Sequence, residues 1–293
     1  MISVFSVVNK TNMDDMLRKT WDEVAHSWDA YESPLRPHQD DLRITREALV
    51  RWHASNPIEK ARVFLCGVTP EIAAMDWPFP IDLTAMDQAA SMVRIVWPGD
   101  VPGVRRALVG NWMNSGLPAG SQDVVIGDGG FVFFSYPDGQ QALASELHKL
   151  LRPGGLFIYR HYAQSERRES VSEVLDAMRA GRIGNFHIFK WRLAMALQDS
   201  SVSGVKQDDI WHAVIDSGLG TARLTARLPP TGWSAGAINT IHLYRGKDSR
   251  LYFPTLDEFQ GLLSEFFTGL RVELPAYQLG ERCPIFIGVK SVE

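Results

Sequence analysis

The chain reads as an α/β protein built on a doubly wound sheet of five parallel strands finished by an antiparallel pair. Three observations predict it. Apolar runs at 62–67, 82–87, 106–110, 122–128 and 155–161 alternate with helix or turn signals, the rhythm of a parallel sheet covered on both faces. The first run, VFLCGVTPEIA, ends in the lone Gly67 and opens a helix at Thr69-Pro70-Glu71, the strand–turn–helix with which such sheets build ligand pockets. A last helix and two strands, about 270–276 and 284–290, close the chain, with a connection short enough for antiparallel pairing.

The elements follow in order. Leu17, Trp21, Val24, Trp28 and Tyr31 recur at spacings of four and three, one face of an N-terminal helix. Ser33-Pro34-Leu35-Arg36-Pro37 breaks it, because proline removes a donor and biases its predecessor away from helix. A second helix over roughly 39–55 carries Leu42, Leu49 and Trp52. Between the fourth and fifth strands, 140–151 reads as a crossover helix with Leu143, Leu147, Leu150 and Leu151 on one side, stopped at Arg152-Pro153-Gly154-Gly155. Residues 165–250 lose the rhythm. Helical stretches at about 167–180, 188–198 and 206–217 end in Pro229-Pro230-Thr231-Gly232, too long a segment for a loop and therefore an inserted cap. Thr255-Leu256-Asp257-Glu258 then forms a capping box ahead of the apolar face Phe259, Leu262, Leu263, Phe266 and Phe267. We expect one domain: a flap over 1–58, a ligand-binding core over 59–164, a substrate cap over 165–250 and a closing unit over 251–293.

Composition narrows the function. A net charge of −4 over 293 residues offers no basic stripe, so nucleic acid is not expected as a partner. The two cysteines, Cys66 and Cys283, make no disulfide framework and suit a reducing compartment. The start, MISVFSVVNKTNMDD, lacks a basic region and a cleavage site, and no run of about 18 apolar residues predicts a membrane span. The expected setting is cytoplasmic, with no membrane partner. The sequence sets no oligomeric state, and a homodimer is compatible with it. Eight histidines and two cysteines show no ligand spacing, so no metal is expected.

Asp87 ends the second strand 20 residues after Gly67, where an acid bonds ribose hydroxyls in doubly wound folds. A turn glycine and a helix-capping aspartate are the plainer reading of the same pair. A pyrophosphate needs several close backbone approaches, and the bulk of Thr69 and the charge of Glu71 disfavour it. A ribose-bearing cofactor without phosphate, S-adenosylmethionine, fits better. Its carboxylate can use the N–H groups of the helix start, with Thr69 as N-cap and Pro70 at the first helical position.

VFLCGVTPEIA, LTAMDQAASMV, ALVGNWMNSGLPAGSQDVVIGD and LHKLLRPGGLFIYR, in that order over 62–161, resemble class I S-adenosylmethionine-dependent methyltransferases, and 255–290 fits as well. The resemblance implies a seven-stranded Rossmann-like sheet with its last strand antiparallel. It also implies Gly67 against the cofactor's methionine part, Asp87 on the ribose, Gln88 beside the adenine, Asn111 at the adenine amino group and Trp112 near the ring. Asp128 would lie under the sulfonium, facing the substrate. TWDEVAHSWDAYESPLRPHQDDL is similar to the helical flap of many members, with Trp28 and Tyr31 over the sulfonium and Arg36 on the cofactor carboxylate. As plain structure, Trp28 and Tyr31 are core residues of an amphipathic helix.

Methyl transfer needs an in-line nucleophile about 3 Å from the methyl, with water excluded. At the end of the fifth strand His161 is the candidate base, and Arg160, Tyr162 and Tyr136 are candidate substrate contacts. The cap's Phe186, His187, Phe189, Trp191, Trp211 and His212 suggest a shielded pocket for a small organic substrate, or simply the cap's own core. Cys283 has no adjacent base and reads as structural. The expected activity is methyl transfer to oxygen or nitrogen of a small molecule, leaving S-adenosylhomocysteine. Two alternatives stay open: transfer or cyclisation of the cofactor's aminocarboxypropyl arm, and a non-catalytic binding module.

Overall fold

The computed structural model describes residues 20–219 and 233–292. Leu17, the N-terminal run read for a signal, and the Pro229–Gly232 break lie outside the described residues.

Seven strands form the sheet: β1 (Ala61–Cys66), β2 (Ile81–Asp87), β3 (Arg105–Val109), β4 (Gln122–Asp128), β5 (Leu151–Arg160), β6 (Thr268–Glu273) and β7 (Ile285–Val289). Their order is β3-β2-β1-β4-β5-β7-β6, with every neighbouring pair from β3 to β5 parallel. β7 runs antiparallel to β5 on one side and to β6 on the other. All seven expected strands are present. β5 starts earlier than its apolar run because Pro153-Gly154 is carried within the strand: Gly154 N donates to the Lys290 carbonyl at 2.9 Å.

Helices cover both faces. α1 (Gln39–Ser55) lays Ile44, Leu49 and Trp52 against Val63, Leu65 and Leu83 of β1 and β2. Its start is a capping box in which His38 accepts from Asp40 N and Asp41 from His38 N. α2 (Pro70–Ala73) follows β1 and is a single turn. α3 (Asp138–Leu150) packs Leu143 and Leu147 on the other face beside Phe64, Val125 and Phe157. Each such fully buried side chain contributes about 1.5–3 kcal/mol. The cap has α4 (Val171–Arg179), α5 (Phe186–Leu197), α6 (Gln207–Val214) and α7 (Ala235–Asn239), with a two-residue ribbon, Val205–Lys206 against Arg250–Leu251. These elements enclose a core of their own, including Phe186, Phe189, Trp191 and Phe253. α8 (Leu256–Ser264) begins with the expected box: Thr255 Oγ1 accepts from Glu258 N, and Glu258 accepts from Thr255 N.

Among the described residues the N-terminal helix covers 20–26 and passes into a 3-10 turn at Trp28–Ala30, so it ends before the Tyr31 that its periodicity reached. At the far edge, β3 carries its own cover. Asp100 Oδ1 accepts from Ala107 N at 3.0 Å, and Val101 and Arg105 exchange backbone bonds at 2.9 and 3.0 Å.

Candidate active site at the strand ends

The C-terminal ends of β1, β2 and β4 meet where the strand order reverses, the place where open α/β sheets bind ligands. Gly67 leaves β1 with φ +92°, a conformation that favours glycine. A Cβ built on it would stand 3.8 Å from the Trp112 ring, 3.9 Å from Thr69 Oγ1 and 4.0 Å from Asp87 Oδ2. Four residues from three separate sequence motifs therefore converge on one point. Asp87 Oδ1 accepts from Ala89 N at 2.9 Å, and no cation lies within ion-pair distance of this carboxylate among the described residues. Burial pushes the Asp87 carboxyl up to about 6. Trp112 Nε1 donates to the Met86 carbonyl at 2.6 Å, the same oxygen that accepts from Gly67 N. Its ring also reaches Gly130 beyond β4, where an added Cβ would sit 2.7 Å from Cζ3. Gln88 and Asn111 are exposed at the rim, and Asn111 Oδ1 accepts from Met113 N at 2.9 Å.

Two expectations for the methionine end need correction. α2 is one turn long and the Thr69 hydroxyl makes no capping bond, so this turn is not the anion-holding helix start that Pro70 suggested. Arg36 does not point a free fork at a carboxylate. It clasps Glu71 at 2.5 and 2.6 Å, and its guanidinium lies 5.3 Å from the Trp28 ring centre. Glu71 is thereby neutralised rather than repelling, while its Oε2 is buried without a partner. Trp28 Nε1 is also buried and unpartnered. Tyr31 has turned to the cap, stacked on His187 at 5.2 Å.

Beyond β4 and β5 the candidates form an internal ion cluster rather than a reactive face. Arg160, 4% exposed, donates to Asp128 Oδ1 at 2.5 Å and to Tyr277 Oη at 3.0 Å, and lies 3.5 Å from Asp41 Oδ2. A cavity of about 10 Å³, room for one water, sits among Asp41, Thr45, Asp128 and Arg160. The Tyr162 hydroxyl donates to the Pro34 carbonyl at 2.8 Å. Arg160 and Tyr162 are thus corrected from substrate contacts to buried structural groups, their polar atoms spent on this network. Tyr136 reaches α8, with its hydroxyl 3.4 Å from the Glu258 carbonyl.

His161 is corrected as well. Its side chain is fully buried, stacked on Phe259 at 3.9 Å, with both ring nitrogens unpartnered. Burial pushes it down to about 3, so it is a neutral core ring and not a base. The unfolded chain takes up a proton near the ordinary value of about 6.5 that the folded ring refuses, so this group costs stability as pH falls from about 6.5 towards 3. His161→Phe is expected to flatten that fall, checked by denaturant unfolding at pH 7 and pH 4.5. An unchanged slope refutes the assignment.

Sequence reasoning missed three features. Gly127-Asp128-Gly129-Gly130 is the glycine-rich turn of this site, after β4 rather than β1; the string itself was the signal. Asp41 joins the Arg160 cluster from α1, but in sequence it reads as an ordinary capping acid. Lys190 lies 1% exposed inside the apolar run FHIFKWRLAMAL of α5, and a lysine in such a run was the available signal. Cys66 and Cys283 are both free and buried, and burial pushes the Cys283 thiol up to about 12. Among the described residues no helix is long and apolar enough to cross a membrane, and no group of three or more His, Cys, Asp or Glu side chains is placed to hold a metal ion.

The strand that decides the architecture is β7, inserted antiparallel between β5 and β6. The fold is that of the class I S-adenosylmethionine-dependent methyltransferases. The methyltransferase fold is also found by comparison with solved structures. A Burkholderia thailandensis 1,6-didemethyltoxoflavin-N1-methyltransferase, solved with 1,6-didemethyltoxoflavin and S-adenosylhomocysteine, shares 13% identity at a TM-score of 0.50, over 96% of this chain and 90% of that one. A Rhodobacter sphaeroides protein named for the Zn-dependent alcohol dehydrogenases shares 12% identity at a TM-score of 0.55, over 91% and 97%. The CurJ carbon methyltransferase gives 12% identity and a TM-score of 0.48, over 85% of this chain, which spans 54% of that structure. At such identities the likeness to the Burkholderia thailandensis enzyme carries the fold alone, and the differing activity names carry nothing further. No family model matches the chain, and no curated protein matches it.

Proposed function

We propose that the chain is an S-adenosylmethionine-dependent methyltransferase acting on oxygen or nitrogen of a small molecule. The observation that carries this reading is the convergence of Gly67, Thr69 and Trp112 on the Asp87 carboxylate, which no cation neutralises among the described residues. The residues fit the cofactor. Asp87 has acceptor capacity left for two ribose hydroxyls, the glycine at 67 admits close backbone approach, and the unpartnered Glu71 Oε2 can take an ammonium. Bound there, S-adenosylmethionine supplies a methyl group made electrophilic by its sulfonium. Trp28 offers an aromatic face to positive charge. Gln88 and Asn111 are placed at the rim for the adenine. Asp128 closes β4 held by Arg160 at 2.5 Å, its charge balanced within that cluster. With His161 in the core, the chain's own proton acceptor lies elsewhere, or the nucleophile arrives unprotonated.

Calorimetry with S-adenosylmethionine and S-adenosylhomocysteine tests the reading, and product analysis separates methyl transfer from arm chemistry, which leaves methylthioadenosine instead. Asp87→Ala is expected to weaken S-adenosylhomocysteine binding by about 1–3 kcal/mol, the range for leaving a buried partner unsatisfied. In the wild type, affinity should fall as the pH drops through about 6, where this carboxylate protonates. Unchanged affinity in the variant removes Asp87 from the site. The Trp112 indole lying between Gly67 and Gly130 favours a second reading, a binding module whose crevice its own side chain occupies. No heat with either ligand at millimolar concentration selects that module.

A further inference from the structure

Among the buried ionisable groups that the methyltransferase reading leaves unused is Lys190. Lys190 lies on α5 in a box of aromatic rings: its Nζ is 4.9 Å from the ring centre of Tyr244, 5.5 Å from Trp191, 5.6 Å from Tyr31 and 5.9 Å from Phe186. No hydrogen bond or ion pair reaches the ammonium among the described residues. Ring faces attract a cation, but they do not accept its three N–H donors as oxygens do. An apolar side chain would fill the same space without that deficit.

The neighbours share the pattern. His187, one turn earlier on the same helix, is fully buried and bonds the Ala30 carbonyl through Nε2 at 2.9 Å. A carbonyl only accepts, so the proton is on Nε2, and Nδ1 is left as an unpartnered buried acceptor. The groups facing Lys190 are therefore Tyr31 from the flap, Tyr244 from the turn Thr240–Tyr244, and His187, Phe186 and Trp191 from α5, with no carboxylate among them. Three walls belong to the cap. The fourth, Tyr31, belongs to the flap and is held to the cap by its stacking on His187 and by the Ala30–His187 bond, the two contacts a ligand entering the box has to displace. Tyr31 also lies 6.1 Å from Trp28, against which Arg36 and Glu71 of the β1 turn are assembled. The box thus adjoins the proposed cofactor crevice through a single flap residue.

We propose that this box binds the acceptor substrate, and that the substrate is a planar aromatic or heteroaromatic molecule carrying an ionised oxygen, its charge on Lys190 and its ring against the aromatic walls. This rests on the methyltransferase reading for the word acceptor, not for the site. Burial alone pushes the Lys190 ammonium down to about 7, so above neutrality much of the free protein holds it uncharged, and an arriving anion draws a proton onto it.

The test is calorimetry on the full chain at pH 8 with 4-nitrophenolate and benzoate against their neutral counterparts 4-nitroanisole and benzamide. In the wild type the anions should bind at least tenfold tighter and take up a proton, read from the dependence of the heat on buffer ionisation. Lys190→Met should lose both the preference and the uptake, while Lys190→Arg keeps the preference without the uptake. No anion preference in the wild type overturns the proposal, as does a preference that survives in Lys190→Met. If Lys190→Met does not fold, the wild type and Lys190→Arg decide. S-Adenosylhomocysteine binding is measured alongside. If it is absent while the anion preference is present, the methyltransferase reading falls and the site stands; the reverse result sinks only the site.

Discussion

Gly127→Ala is expected to destabilise the protein by about 3 kcal/mol, the upper end of ordinary over-packing costs. A Cβ at this position would stand 2.5 Å from Cζ and 2.7 Å from Cδ2 of Tyr159, and closer still to Cε2. Neither side can yield. Gly127 is paired to Cys66 on one flank and Tyr159 on the other, and the Tyr159 ring is fully buried against Phe131 at 4.6 Å. Urea unfolding measures the loss. The cause is tested by a double-mutant cycle with Tyr159→Val, which removes the clashing atoms. The pair should be less destabilised than the sum of the singles by about 1–3 kcal/mol. Additive losses would place the strain elsewhere.

Arg160→Met is expected to cost about 3–5 kcal/mol, the usual consequence of removing one partner from a buried ionic cluster. The loss comes less from the missing bonds than from what they leave behind: Asp41 and Asp128, side chains 4% and 6% exposed, would face each other as carboxylates without a cation. Burial already raises Asp41 in the wild type, and the Arg160 guanidinium is the chief influence holding it down. In the variant the Asp41 carboxyl, released from that influence, should titrate further above its unfolded value. The folded variant then binds more protons than the unfolded chain, and the difference from wild type should shrink as pH falls from 7 towards 4. Comparing the difference removes the histidine contribution common to both proteins. A gap that stays constant or widens on acidification would rule out uncompensated carboxylates as its source.

The sheet was legible because its signals are local and redundant. β1, β2 and β4 each present a largely apolar run ended by a glycine or an acid, and the Thr255 capping box marks α8 by its spacing alone. Gly67 and Asp87 were legible for the same reason, each closing a strand. Residues that act through distant partners were not. Arg36 and Glu71 lie 35 positions apart, and nothing in either segment says that they pair. His161 sits at a strand end as an active-site base would, yet the next element to cover it is α8, about a hundred residues on, whose Phe259 seals it in. Asp41, Arg160 and Tyr277 come together from α1, β5 and the turn before β7. Chain order sets which strand ends are neighbours; side-chain packing sets which of them stay open.

The cover on β3 bears on how copies of this chain can meet. The outward-facing amides of Arg105 and Ala107 are already engaged, by Val101 and Asp100 of the preceding loop. A second molecule cannot extend the sheet there without first stripping that loop away. This edge of the sheet is blunted against edge-to-edge polymerisation, which leaves the opposite edge strand β6 and the outer helices as the surfaces through which protomers could associate.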